Sequence, residues 1–365
     1  MEGYPVMNFL DLTKSDLEQL CIENGQPKFK ALQLTKWVHK KGVQDFSKMT
    51  DLQSSFRDYL SRKVNVHIPE IIQSTKSADG SEKWLFKLKS GEVIESVIIP
   101  EDGRITACVS SQVGCAVDCS FCATGHQGFS RNLSLGEMLG QVWTINYLSN
   151  VGRVTNVVLM GMGEPLLNYS NLKEFLKYLL LDEAYGLSRR KVTVSTSGIV
   201  PFIDRLRVDC PVSLAISLHA ASNELRNKLV PINRKYPLEQ LMRACRDYQD
   251  SAPRKFITFE VVLLDGINDS LNDALAISRL IKDYGINAKF NLIPYNAFNG
   301  GIFKKPASEK IKGFQMKLQE SGYVTTVRKT RGDDVEGACG QLSGIVNNRI
   351  SGVGSREKTE IAGLF

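Results

Sequence analysis

Three cysteines spaced Cys115-x3-Cys119-x2-Cys122 lie in the segment CVSSQVGCAVDCSFCATG, and a fourth, Cys108, opens it. Thiolates at this spacing can bind metal in two ways. A structural zinc ion needs four ligands, so Cys108, His126 or a distant group would have to complete the set. A [4Fe–4S] cluster held by three thiolates instead leaves one iron open for a substrate or cofactor. Further along, GMGEP places Gly161 and Gly163 where a backbone edge can approach a ligand closely, and Glu164 can accept from an ammonium group. Cys339 sits in RGDDVEGACGQL, a polar and Gly-rich stretch after a strand, which argues against a plain core thiol. Cys108, in the strand-like ITACVSS, has by itself the context of a core residue. Cys21, Cys210 and Cys245 fall in apolar or helical contexts and are expected to be structural.

These residues must be positioned by the elements around them. Residues 10–62 carry helical patterning, with Thr13 as an N-cap and Gly25 as a stop. They predict a small helical N-terminal domain, with a linker near STKSADGSE. KWLFKLKSGEVIESVIIP and ITACVSSQV, broken at Ser90-Gly91 and Asp102-Gly103, predict antiparallel strands. After residue 130, strands and helices alternate. The strand candidates are TNVVLMG, KVTVST, VSLAISLH, FITFEVVLL, AKFNLIPY and YVTTVRK, and a capping box at Ser134 and Glu137 opens the first helix. Such alternation implies parallel strands with right-handed crossovers, as an open or closed (β/α) barrel or, alternatively, a doubly wound sheet. In a barrel the reactive groups gather at the C-terminal strand ends, where LMGMGEP, VSTSG, ISLH and LIPYN all fall. The predicted division is a helical accessory domain over 1–75, a catalytic α/β domain over 76–345 with its core at about 105–330, and a mobile tail over 346–365.

The 365-residue chain buries a full core without needing disulfides. No apolar run approaches a membrane span of roughly 20 residues, and MEGYPVMNFLDLTKSD has no basic stretch followed by an apolar run. The expected location is therefore cytoplasmic, with the eight cysteines kept as thiols or ligands. The net charge of +7 is modest, and residues 300–365 hold eleven Lys/Arg against seven Asp/Glu. That excess suits a polyanion such as RNA and equally suits a solvated surface.

The cysteine spacing, with Phe121 before the last thiol and GMGEP one strand later, resembles the radical S-adenosylmethionine (radical SAM) superfamily. CVSSQVGCAVDCSFCATGHQGFSRNL, NVVLMGMGEPLLN, VTVSTSG, AISLHA, VPINRKYPL, NLIPYN and VRKTRGDDVEGACGQL together closely resemble the RlmN/Cfr family of rRNA adenine methyltransferases, over about residues 85–345. The N-terminal region resembles that family's accessory domain. The resemblance implies a partial (β/α)6 barrel with extra antiparallel strands and a small all-helical accessory domain. It implies one [4Fe–4S] cluster on Cys115, Cys119 and Cys122, and two SAM molecules per turnover. Contacts to SAM carry over to Gly163, Glu164, Ser195, Ser217, Leu218, His219 and Asn296. Cys339 matches the methyl-carrying cysteine, Cys108 the resolving cysteine that later forms a disulfide with it, and Glu95 the proton acceptor. The implied reaction is methylation of carbon 2 of adenosine 2503 in 23S rRNA, with adenosine 37 of some tRNAs as a further substrate and an electron donor such as flavodoxin. Methylation of carbon 8 of the same rRNA adenosine is the alternative within the family, and a zinc-stabilised, non-catalytic RNA-binding protein is the alternative outside it.

An RNA substrate asks for cations near the barrel mouth. The candidates are Arg131, residues 189–191, residues 233–235, Arg328, Lys329 and Arg331, with Arg331 ranked first because it flanks the Cys339 loop. Nothing in the sequence demands more than a monomer.

Overall fold

Ten strands form one sheet whose spatial order is the chain order. This computed structural model describes residues 6–329 and 331–342. The strands are β1 (Glu70–Lys76), β2 (Glu82–Lys87), β3 (Val93–Glu101), β4 (Arg104–Cys108), β5 (Asn156–Leu159), β6 (Val192–Thr196), β7 (Ser213–Ser217), β8 (Ile257–Leu263), β9 (Ala288–Pro294) and β10 (Val324–Val327). β1 to β4 pair antiparallel, and β4 to β10 pair parallel. Each parallel step crosses over through helix, as the alternation requires. β1 and β10 are the two ends of the order, so the parallel set forms an open, partial barrel with the antiparallel strands as an extension.

Two readings of the sequence need correcting. ITACVSSQV yields β4, which is antiparallel to β3 but parallel to β5, with Cys108 opposite Val97 on one side and Val158 on the other. It is the first strand of the parallel set. The segment STKSADGSE is the turn and flanks of the β1–β2 hairpin, inside the sheet rather than between domains. The expected mobile tail lies outside the described residues.

The inner parallel strands, β5 to β9, are largely buried on both faces, which explains their nearly continuous apolar runs. Residues 9–64 close a separate small core of Phe9, Leu17, Leu34, Phe56 and Leu60. Thr13 caps the first helix with Asp16 in a capping box. Ser134 and Glu137 do the same for the helix Leu135–Leu148. Asp11 then reaches across from the N-terminal region. Its carboxylate accepts from Ser134 Oγ and Gly136 N, both at 2.6 Å, which sets an anion on that helix's positive end. His39 fills the same junction, packed against Phe9, Tyr178 and Tyr185.

The C-terminal ends of the parallel strands are joined by one buried cation. Arg226 has no exposed surface. Its Nε donates to Leu218 O at 3.0 Å, its Nη2 to Ser197 O at 2.6 Å and Ser217 O at 2.9 Å, and its Nη1 to Asn233 Oδ1 at 2.7 Å. Burial pushes its pKa down to about 10. Replacing it with Met strands several buried acceptors, each costing about 1–3 kcal/mol. Urea unfolding of Arg226→Met is therefore expected to show a loss of at least about 3 kcal/mol.

Burial also holds His39 neutral, with its pKa near 3 against an ordinary 6.5. The unfolded chain takes up a proton as pH falls through 6.5 while the folded chain does not. The stability is thus intact above 6.5 and lost progressively from there down to 3. From pH 7 to pH 5 the His39 share is about 2 kcal/mol, and buried His219 acts in the same direction. His39→Asn should narrow the gap between urea midpoints at pH 7 and pH 5; an unchanged gap would refute this assignment.

Candidate active site

The loop that follows β4 turns on a short hairpin in which residues 112–114 pair with residues 129–132. Cys115 N donates to Gly128 O at 2.9 Å, and Ser120 N to Leu229 O at 3.1 Å. The loop is thereby held over the strand ends. Cys115, Cys119 and Cys122 pack with Val117, Phe121, Leu229, Tyr295 and Phe303 and line an open cavity at the barrel mouth. Burial raises the thiol of Cys115 to about 12 and that of Cys119 well above its ordinary value.

The opposite wall comes from the strand ends. Gly163 has a φ of +98°, and a Cβ there would lie 2.4 Å from the Gln112 side chain, so only glycine fits. Gln112 Oε1 accepts from Glu164 N at 2.9 Å. The Glu164 carboxylate accepts from Ser197 N and Ser197 Oγ, both at 2.7 Å, and from Leu166 N at 3.1 Å. Burial raises its pKa, and these hydrogen bonds oppose the rise. Ser195, Ser217, His219 and Asn296 line the same cavity. His219 has a left-handed backbone (φ +62°), and its Nδ1 accepts from Val262 N at 3.0 Å. Burial, with Arg226 nearby, lowers its pKa to about 3, so the ring is neutral with its proton on Nε2. Leu218 differs from the rest. Its side chain is fully buried in the main core, its backbone N donates to Glu260 O, its backbone O accepts from Arg226 Nε, and it does not line the cavity.

Cys339 lines this cavity and also a smaller one beside it, whose wall includes Cys108, Val97, Met160 and Arg328. The structure therefore brings together the two thiols that the sequence sets far apart. All eight cysteines are free. Burial pushes Cys108 to about 12, Cys339 adds to the rise, and Arg328 opposes it. The Cys339 loop is fastened on three sides. Gly340 O accepts from Ala123 N at 2.8 Å, and Leu342 O from Thr124 Oγ1 at 2.7 Å. Asn296 Nδ2 donates to Cys339 O at 3.1 Å, and Gln341 Nε2 to Ala297 O at 3.0 Å. At the β1–β2 turn, Asp334 accepts from Ser77 Oγ at 2.6 Å and Ala78 N at 3.0 Å, while Asp79 accepts from Gly332 N at 3.1 Å.

Glu95 lines neither cavity. It is buried on β3, on the same face as Val97 and Ile99 of the smaller cavity, with Lys83 Nζ 4.0 Å from its carboxylate. Several of the expected RNA-facing cations have other work. Arg131 is held by Glu92 and Glu137 at 2.7–2.8 Å. Arg189 donates to Pro211 O and Ser251 O, and Asn233 is buried on Arg226. Arg328 lies among the thiols, and Arg331 stands 3.9 Å from Asp79 and 3.7 Å from Glu101. Arg190, Lys191, Arg234 and Lys235 remain exposed.

Three residues of this region escaped the sequence reading. Glu260, on β8, is buried and accepts from Ser195 Oγ at 3.3 Å. A lone carboxylate in the apolar run FITFEVVLL was a usable signal. Arg226 and Gln112 carry none, since an arginine in a short polar helix has the pattern of a solvated one.

Among the described residues no helix is long and apolar enough to cross a membrane. The family model described as the radical SAM superfamily matches residues 109–287, and that of the ribosomal RNA large subunit methyltransferase N-terminal domain matches residues 7–66. A radical SAM methyltransferase from Sphaerobacter thermophilus is 41% identical over 93% of this chain and 99% of its own, with a TM-score of 0.86. Weaker likenesses are to a domain of pyruvate-formate lyase-activating enzyme from Bacteroides vulgatus ATCC 8482 and to HydG, a maturase of the [FeFe]-hydrogenase. Their identities are 18% and 11%, their TM-scores 0.38 and 0.45, and they cover 48% and 66% of this chain and 99% and 55% of their own. With the thiol loop over a partial barrel, both family models in chain order and a relative matched along nearly its whole length, the chain belongs to the RlmN-type radical SAM methyltransferases.

Proposed function

We propose that this chain methylates carbon 2 of adenosine 2503 in 23S rRNA, and adenosine 37 of some tRNAs, with Cys339 as the methyl carrier. One observation carries the proposal: Cys339 lines both the cavity of the three thiols and the cavity of Cys108. A non-catalytic zinc protein gives that arrangement no task.

Cys115, Cys119 and Cys122 would hold the cluster. Among the described residues no three His, Cys, Asp or Glu groups close on a point suited to one metal ion. Three thiols on one cavity wall fit a cluster that leaves one iron open, whereas a structural zinc ion would need a fourth ligand. When bound, the cluster and SAM supply an adenosyl radical able to take hydrogen from an unactivated methyl group.

The remaining work falls to the chain. The carboxylate of Glu164 and the close backbone at Gly163 orient the ligand's amino end, while Ser195, Ser217, His219 and Asn296 frame the rest. Cys339 accepts a methyl group on sulfur, and the resulting S-methyl group gives up a hydrogen and bonds to the adenine carbon. Glu95 receives the ring proton, the odd electron of the adduct would return to the cluster that supplied one, and the fastened Cys339 loop keeps the adduct beside that face of β3. The Cys108 thiolate then attacks the Cys339 sulfur; the S–S bond forms as the S–CH2 bond breaks, and the methylene carbon keeps that pair, takes a proton and leaves as the product methyl group. The adenine must be unstacked to reach this depth.

Two outcomes are expected. Cys108→Ala should accumulate a covalent protein–RNA adduct, seen as a nuclease-sensitive shift on a denaturing gel; product release at the parent rate would remove Cys108 from the scheme. Nucleoside mass spectrometry of rRNA and tRNA from cells carrying the gene should find 2-methyladenosine. Finding 8-methyladenosine instead would move the chain to carbon 8 chemistry.

A further inference from the structure

We infer that Arg328 is a catalytic residue of the methyl-accepting step, the charge that holds the Cys339 sulfur as a nucleophile. This rests on the reading of Cys339 as methyl carrier.

Arg328 follows β10, and its backbone N donates to Leu292 O at 2.8 Å, which fixes the root of the side chain. Its side chain and Cys339 both line the wall of one small cavity of about 30 Å³. Nη1 stands 3.5 Å from Glu260 Oε1 and 3.6 Å from Met160 Sδ, and the side chain lines the same small cavity as Cys108 and Cys339. The sequence placed this residue on the RNA surface. The structure leaves it half-buried, beside the Glu260 carboxylate and on the wall that holds the two thiols. A guanidinium presents five N–H donors in a rigid fork, so pairing with Glu260 leaves donors for sulfur.

The chemistry needs such a charge. A thiol is a poor nucleophile and a thiolate a good one. Burial disfavours the Cys339 thiolate, and Arg328 is the first group to oppose burial. The groups that face Cys339 are Cys108 from β4, Glu260 from β8, and Arg328, Lys329 and Arg331 from the segment after β10. Beyond them Cys122 stands on the neighbouring cavity wall. The step balances without another reactant. The thiol proton leaves to solvent, and a sulfur lone pair of Cys339 forms the new bond to the methyl carbon. The breaking sulfonium C–S bond leaves its pair on the departing thioether.

Peptide-resolved iodoacetamide labelling of the full chain at pH 8, read on the unmethylated fraction of Cys339, tests the inference. Arg328→Gln is expected to slow labelling roughly tenfold, as loss of one pKa unit of thiolate stabilisation would do. Glu260→Gln removes the competing carboxylate from the same guanidinium and should speed labelling, and Arg328→Lys should fall between Arg328→Gln and the parent. Unchanged labelling in a folded Arg328→Gln overturns the inference. So does faster labelling in both Gln variants, which would mean only an opened loop. If Arg328→Gln does not fold, Glu260→Gln decides alone, and no acceleration there overturns the inference. The same spectra report on the underlying reading: no methyl group on Cys339 of the parent chain would sink the carrier role while leaving the charge effect on labelling measurable.

Discussion

A parallel sheet ends in a row of carbonyls that point past the last strand pair, and a site built there must first satisfy them. Arg226 does so with one side chain. It collects the carbonyls of Ser197, Ser217 and Leu218 and braces them against Asn233. Its acceptors are all neutral, so the cation is buried without a carboxylate and is held by dipoles alone. That is a costly arrangement for a charge, and it persists only because four acceptors converge on it. Ser197 and Ser217 themselves line the cavity, and Leu218 lies between Ser217 and His219, which also lines it. The mouth of the barrel has its shape because this one guanidinium fixes where two neighbouring strand ends stop.

Around that brace the site is assembled from segments that are far apart in the chain. The thiol loop comes from the start of the parallel set, the glycine and carboxylate wall from its middle, and the Cys339 loop from after its last strand. Polar contacts at the joints are mostly side chain to backbone, as with Asn296 to Cys339 O and Asp334 to Ala78 N. Such contacts hold a loop in register without committing its side chains, which leaves the thiol of Cys339 available for chemistry.

How much of this was legible from sequence depends on the kind of signal. Strand and helix order was plain, because burial on both faces writes long apolar runs into β5 to β9. That the cysteine loop and GMGEP would meet at the strand ends was legible, because both follow strands of one parallel set and close backbone approach admits few residue types. Long-range pairing was not. Nothing near Arg131 announces Glu92, and nothing near Arg328 announces that β10 ends against Cys108 rather than solvent. A charged side chain has the same pattern in sequence whether it meets water or a buried partner. Several basic residues expected to face RNA therefore also pair within the protein. The linker expected near STKSADGSE failed for a related reason: a Ser/Gly/Asp-rich turn has the same composition in a hairpin as in a domain boundary.

The strand order carries one more consequence, for how the protein comes to exist. Each strand of the sheet lies beside the one made just before it, so during synthesis every new strand meets a finished edge. Folding can proceed as steady accretion, with little need to hold open a gap for a later segment. The thiol loop is complete early, when fewer than half the residues have emerged. The Cys339 loop arrives last and docks onto a hairpin that was among the first parts made. The growing chain thus has the three thiols proposed to hold the cluster in place well before the thiol proposed to carry the methyl group, and chemistry waits on the final turn.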